Sequence, residues 1–197
     1  MAEQEEMNIG IVGCGFDKFT SETRELAYKL IRELLSVEGA VLVSGRSPVG
    51  GIDVMAEETA DALYILKIIH APKVEQWDPP FQYGYKARNL DIAKDSDVVH
   101  VIAVKEYPPG YRGQRFDLCY HCARAGRDSR GHKKSGACWT LNAASVEIGK
   151  RQKMGAIHII SEEGITSEVY SLDCPFCGAD LEVETHYANC RTTVQAL

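Results

Sequence analysis

"AVLVSGRSPVGGIDVMAEETADAL" (40–63) decides the fold class. The run 40–43 is apolar without polar alternation and too short for a helix, so it predicts a strand buried on both faces. Ser44-Gly45 closes that strand, and Pro48, Gly50 and Gly51 make a turn. Residues 52–63 then take up a helical period. A strand buried on both faces needs helices above and below it, which predicts a parallel sheet in a βαβ arrangement.

The same alternation extends in both directions. "NIGIV" (8–12) predicts a first strand, followed by the small turn Gly13-Cys14-Gly15. Residues 20–37 predict a helix with Leu26, Leu30, Ile31, Leu34 and Leu35 on one face, Thr20 or Ser21 as its N-cap and Gly39 as its stop. "YILKIIH" (64–70) is a third strand. A turn-rich stretch, "WDPPFQYGY", leads to a helix at 86–94, and "DVVHVIAV" (97–104) is a fourth strand. The pattern breaks between 105 and 138, then resumes with a helix at 140–152 and a fifth strand, "GAIHII" (155–160). Residues 171–197 are short, acidic and cysteine-bearing, a separate small module. The expected architecture is therefore α/β: a Rossmann-like parallel sheet with helices on both faces over 7–160, interrupted by a cysteine-rich insertion.

Composition narrows the function classes. The 197 residues are 45% hydrophobic and 25% charged, the balance of a folded globular chain. No run approaches the ~18 apolar residues of a membrane span. The N-terminus, MAEQEEMN, lacks the basic and apolar regions of a secretory signal, so a cytoplasmic location is expected. Thiols stay reduced there, and seven cysteines then point to metal rather than disulfides. The formal charge of -6 argues against general nucleic-acid binding. The charge is uneven, however: 105–134 holds eight Lys/Arg against three Asp/Glu, and 160–190 holds seven acids and no Lys or Arg. A local basic loop suits a small anionic ligand; a solvated charged surface is the alternative.

In such sheets ligands bind beyond the carboxyl ends of the strands. The turns "GCGF" and "SGRSPVGGID" place glycines where backbone N–H groups can approach an anion, and the following helix adds its positive end. Arg46 and Arg88 are candidates for bidentate phosphate contacts, and Asp53 or Asn89 for a ribose hydroxyl. Neither a Walker A motif nor GxGxxG is present, which argues against ATPase and standard dehydrogenase chemistry.

Three blocks of the chain resemble the SLOG superfamily, the Rossmann-like group named after DNA-processing protein A and the lonely-guy proteins. "VSGRSPVGGIDVMAEETA" (43–60) resembles its strand, glycine turn and G-[IA]-D helix start. "WDPPFQYGYKARNLDIAKDSDVVHVIA" (77–103) is similar to a second block, and looks most like the YspA-like branch. "SGACWTLNAASVEIGKRQKMGAIHII" (135–160) corresponds to the third. The resemblance implies a nucleotide or nucleotide-derived ligand held across Gly13, Gly15, Ser44, Gly45, Gly51, Asp53, Arg88, Asn89, Gly136 and Thr140. Lonely-guy phosphoribohydrolases carry P-G-G-x-G-T-x-x-E where this chain has S-G-A-C-W-T-L-N-A (135–143). Asp53 and Glu147 are the acid/base candidates left to an enzyme of this type. A homo-oligomer fits this fold.

Six cysteines fall into two similar groups, leaving Cys14 as a small core residue of the first turn. One is Cys119-x2-Cys122-x9-His132-x5-Cys138; the other is Cys174-x2-Cys177-x8-His186-x3-Cys190. Each supplies three thiolates and one imidazole, a closed tetrahedral set for structural Zn2+. Two alternatives stay open. The two CxxC pairs could join in one four-cysteine site, or "CPFC" could be a redox pair, which would need a thioredoxin-like fold around it. A zinc tying the insertion together would set Arg124, Arg127, Arg130, Lys133 and Lys134 beside the ligand cleft as a wall. Trp77 and Trp139 are expected in the core or cleft walls, His70, His100 and His158 as satisfied buried histidines, and His121 as a strained alternative ligand inside the first knuckle.

Three functions follow. The first is a zinc-stabilised sensor or carrier of a small nucleotide-like ligand. The second is a nucleotide hydrolase of the phosphoribohydrolase type. The third is a DNA-handling protein, disfavoured by the charge balance and the lack of a basic aromatic stripe.

Overall fold

The computed structural model describes residues 6–76, 83–113 and 154–170. Among these residues six strands form one sheet in the order β3-β2-β1-β4-β5-β6: β1 is Met7–Gly13, β2 Ala40–Ser44, β3 Leu66–Ile69, β4 Val98–Val104, β5 Met154–Ser161 and β6 Gly164–Tyr170. The first five run parallel. Registers such as Ile11↔His100 and Leu42↔Lys67 put β1 and β2 at the centre of the N-terminal half. Both are buried on both faces, which is why they read as continuous apolar runs.

Among the described residues three α-helices cover the sheet: α1 (Ser21–Leu35), α2 (Ile52–Ala62) and α3 (Tyr85–Asp95). Strand side chains alternate between two cores. Ile9, Ile11, Leu42 and Ile102 pack with Ala27, Ile31 and Leu35 of α1 and Met55 and Ala60 of α2. Val12, Val43, Val99 and Val101 pack on the other face with Ile92 and Ala93 of α3. Helices thus lie on both faces, as expected. Each large side chain buried here contributes about 1.5–3 kcal/mol. Thr20 is the N-cap of α1: its Oγ1 accepts from Thr23 N at 3.2 Å, and Thr23 Oγ1 accepts from Thr20 N at 2.9 Å. The helix stops at Leu35 with Ser36 as C-cap, before Gly39 (φ 75°) turns the chain into β2.

The expectation of an all-parallel sheet is corrected by β6. It runs antiparallel to β5 through Ser161↔Gly164, with Gly164 at φ 137° making the reversal. The sheet is mixed and continues to Tyr170, beyond the boundary expected at 160. The sequence "GITSEVY" lacks the apolar run that marks the other strands, because an edge strand exposes Thr166 and Ser167 to water.

His100 and His158 meet the expectation of satisfied histidines. His100 Nδ1 lies 2.9 Å from His158 Nε2, and His158 Nδ1 shares a 2.7 Å hydrogen bond with Ser167 Oγ, a relay across β4, β5 and β6. Burial, with the neighbouring His158, lowers the His100 pKa to about 4, and burial lowers that of His158. Among the described residues no helix is long and apolar enough to cross a membrane.

The helix expected at 140–152, the insertion beyond residue 113 and the 171–197 module lie outside the described residues, as do Trp77, Trp139 and His121.

Candidate functional site

The carboxyl ends of β1 and β2 converge through their turns. Cys14 N donates to Ile102 O at 3.1 Å, and Cys14 O accepts from Ile52 N at 3.1 Å, so the β1 turn is tied to both β4 and the start of α2. Both neighbouring glycines are required. A Cβ on Gly13 would lie 2.1 Å from Ile102 O. Gly51, at φ 98°, packs so closely that a Cβ would lie 2.3 Å from Cys14 O. Gly51 is the N-cap of α2, and no side chain caps that end. Two glycine turns and a helix start capped by the Cys14 carbonyl therefore share one edge of the sheet, beside the β1/β4 boundary where the strand order reverses.

Behind this shelf stands a buried polar frame. Arg88 Nη1 donates to Gly45 O at 3.0 Å and lies 3.1 Å from Asp53 Oδ2; Arg88 Nε donates to Asn89 Oδ1 at 2.9 Å. Gly45 has no room for a Cβ, which would sit 2.7 Å from the guanidinium. Ser44 Oγ donates to Asp53 O at 3.4 Å, and Ser47 N supports the Asp53 carboxylate. Ser44 and Asn89 are wholly buried and Asp53 is 5% exposed. Burial raises the Asp53 pKa to about 6; the Glu57 charge adds to this, while Arg88 opposes it. Burial prevails over the ion pair because desolvating a carboxylate costs more than one guanidinium returns.

Arg46 stands apart from this frame. It adopts φ 44°, and its side chain is 59% exposed. Its Nε and Nη2 both donate to Glu57 Oε2, at 3.1 and 3.0 Å. Glu57 Oε1 is buried without a hydrogen-bond partner.

A second cluster lines the β1 turn. Lys18 Nζ lies 3.0 Å from Asp17 Oδ1, Tyr111 Oη donates to Asp17 Oδ2 at 3.0 Å, and the ammonium is 5.7 Å from the Tyr111 ring centroid. Tyr111 in turn stacks on Tyr107, with centroids 4.8 Å apart. This cluster joins the segment after β4 to the turn after β1. Burial works against the Lys18 charge, but the bonds to Asp17 and Tyr111 outweigh it and raise the Lys18 pKa.

Of the residues expected at a ligand site, the structure brings Gly13, Gly15, Ser44, Gly45, Arg46, Gly51, Asp53, Arg88 and Asn89 to this one edge. Gly136, Thr140 and Glu147 lie outside the described residues. So do Cys119, Cys122, His132, Cys138, Cys174, Cys177, His186 and Cys190, and the basic residues 124–134. Among the described residues no group of three His, Cys, Asp or Glu could hold a metal ion. The sequence reading missed Glu57, although one helical turn separates it from Asp53. It also missed Asp17 and Lys18, which directly follow the GCGF turn, and Tyr111, which no local pattern marks.

The fold and this edge define a Rossmann-like α/β domain with two glycine turns packed together at its switch point. No family model matches the sequence, and a search of curated proteins finds no match. Among solved structures, DNA processing protein A (DprA) from Streptococcus pneumoniae is similar at 16% identity and a TM-score of 0.37. That likeness covers 53% of this chain and 52% of the other, so the chain spans about half the length of that neighbour.

Proposed function

We propose that this chain is a binding protein of SLOG type, closest to the YspA-like branch, and that it takes up a nucleotide or nucleotide-derived ligand as a sensor or carrier. The observation that carries this reading is the joining of the two glycine turns: Cys14 bonds the first turn of α2, and Gly51 packs on Gly15. A glycine turn packed against the start of a helix, whose end carries partial positive charge, is an arrangement suited to an anionic ligand. Two structural zinc ions, held by the cysteine and histidine sets of the insertion and the C-terminal segment, would stiffen the chain around it in the reducing cytoplasm.

A binder is favoured over a phosphoribohydrolase by the orientation of Asp53. Its carboxylate is 6% exposed and engaged by Arg88, so it serves the frame rather than a substrate. Native mass spectrometry of the zinc-loaded full chain, incubated with nucleotides, dinucleotides and a single-stranded DNA oligonucleotide, tests the reading. One intact nucleotide retained per chain is expected. Release of free base would make the protein a hydrolase, and retention of single-stranded DNA alone would make it a DNA-handling protein.

A further inference from the structure

At the carboxyl end of β3 lies a cavity of about 240 Å³, whose walls include Ile69, His70, Lys73, Tyr83, Arg88 and Asp91. It adjoins the second glycine turn: His70 N donates to Ser44 O at 2.8 Å, and Arg88 donates to Gly45 O. The connection from β3 to α3 is closed on itself by two backbone bonds, Val74 N to Tyr83 O at 2.9 Å and Tyr85 N to Gln76 O at 3.0 Å. Lys73 thereby comes beside Tyr83, with Nζ 5.6 Å from the ring centroid. The other wall is the face of α3 that carries Arg88 and Asp91. One turn further on, Asp95 Oδ2 lies 2.9 Å from His70 Nε2, in contact but not aligned as a hydrogen bond. Arg88, Asp95 and His70 are thus engaged, whereas two charges at the cavity are not. Among the described residues no carboxylate pairs with Lys73 and no cation with Asp91. Tyr83 between them is 43% exposed.

We infer that this cavity is the subsite for a nucleobase, with Lys73 donating to a ring acceptor, Asp91 accepting from an exocyclic amine and Tyr83 as the aromatic wall. This rests on the nucleotide-binding reading and adds to it which bases the site selects. An ammonium only donates and a carboxylate only accepts, so the occupant must accept at one edge and donate at another. The volume lies below the ~300–1,000 Å³ of pockets that enclose a whole small ligand, so it suits one ring system of a larger molecule. The phenol ring and the apolar side chain of Ile69 favour a flat heteroaromatic ring over a compact zwitterion. Arg88, held by Gly45, Asp53 and Asn89, is a fixed partition between this cavity and the glycine turns. A preference follows from Asp91. Adenine and cytosine present an amine where hypoxanthine and uracil present a carbonyl, which a carboxylate repels.

The test is isothermal titration of the zinc-loaded full chain with ribose 5-phosphate and with the 5′-monophosphates of adenosine, inosine, cytidine and uridine. The wild type should bind at least one amine-bearing nucleotide about tenfold or more tighter than its carbonyl counterpart, the worth of a charge-assisted hydrogen bond. Asp91 is exposed on α3, so Asp91→Ala should fold with an unchanged circular-dichroism spectrum. In that variant the two members of the pair should bind alike. Tyr83→Ala should weaken all four nucleotides toward the affinity of ribose 5-phosphate. Nucleotide binding without a base preference, or a preference that survives in Asp91→Ala, would overturn the subsite and leave the nucleotide reading standing. No binding of any of the five compounds by the wild type would overturn both.

Discussion

Two buried groups give this fold opposite responses to acid, and removing either one should unmask the other. His100 titrates at about 4 in the folded chain against an ordinary 6.5. Its folded pKa is depressed, so the unfolded chain takes up the proton first, and stability is lost as pH falls from about 6.5 to about 4. At 1.36 kcal/mol per unit, the displacement corresponds to about 3 kcal/mol at the acid end. Asp53 behaves the other way. Its pKa is raised from 3.8 to about 6, so the folded chain takes up the proton first, and about 3 kcal/mol is gained as pH falls from about 6 to about 4. The two slopes cancel across the same window in the wild type. The assay is urea denaturation followed by circular dichroism at pH 4, 5, 6 and 7, with each variant subtracted from wild type. His100→Phe keeps the ring volume and removes the titration. Its stability relative to wild type should rise by roughly 3 kcal/mol on going from pH 7 to pH 4. Asp53→Asn should show the opposite trend, about 3 kcal/mol lost relative to wild type over the same interval. Difference curves flat with pH for both variants would refute the argument that burial dominates these two groups.

Two further perturbations probe the frame and the metal. Arg88→Met removes the guanidinium from the buried Asp53 carboxylate, which should cost about 3–5 kcal/mol in urea denaturation at pH 7; the Arg88→Met/Asp53→Asn double variant should recover part of that loss, and a single-variant loss under 1 kcal/mol would show the pair to be dispensable. Cys122→Ser should remove one of two zinc equivalents measured by plasma mass spectrometry and weaken nucleotide binding with it, whereas metal loss with unchanged affinity would separate the insertion from the site.

The parts of the fold legible in the sequence were those decided by burial on both faces. β1, β2 and β4 are covered by helices above and below, so their residues are apolar without alternation and could be read directly. β6 could not, because one neighbour and an exposed edge allow "GITSEVY" to alternate polar and apolar residues as a loop would. The site divides in the same way. Glycines at strand ends were visible because backbone crowding leaves no other choice, as at Gly13 beneath Ile102. Arg88 and Asp53 were visible as residue types with an expected task, but not as partners. Their meeting depends on α3 reaching over the end of β2, a contact across thirty-five residues that no local pattern encodes. Tyr111 is a stronger case, ninety-four residues from the Asp17 it holds.

That pairing reassigns the work within the site. A guanidinium bonded to a carbonyl, a carboxylate and an amide, on a side chain 11% exposed, has its donors directed inward, and an incoming phosphate would have to displace bonds already desolvated. The frame therefore fixes the shape of the β2 turn, and its arginine contributes rigidity to that turn. On the proposed reading, attraction of an anionic ligand would then fall to cations nearer the solvent. Arg46 has one carboxylate oxygen for both its donors and most of its side chain in water, so an anion can compete for it at little cost. Lys18 is more confined, with a side chain 13% exposed and held by the Asp17 carboxylate. Binding energy drawn from Arg46 would be spread over many anions and screened by salt. Lys18 is already engaged by Asp17, so salt-sensitive attraction should follow the exposed arginine.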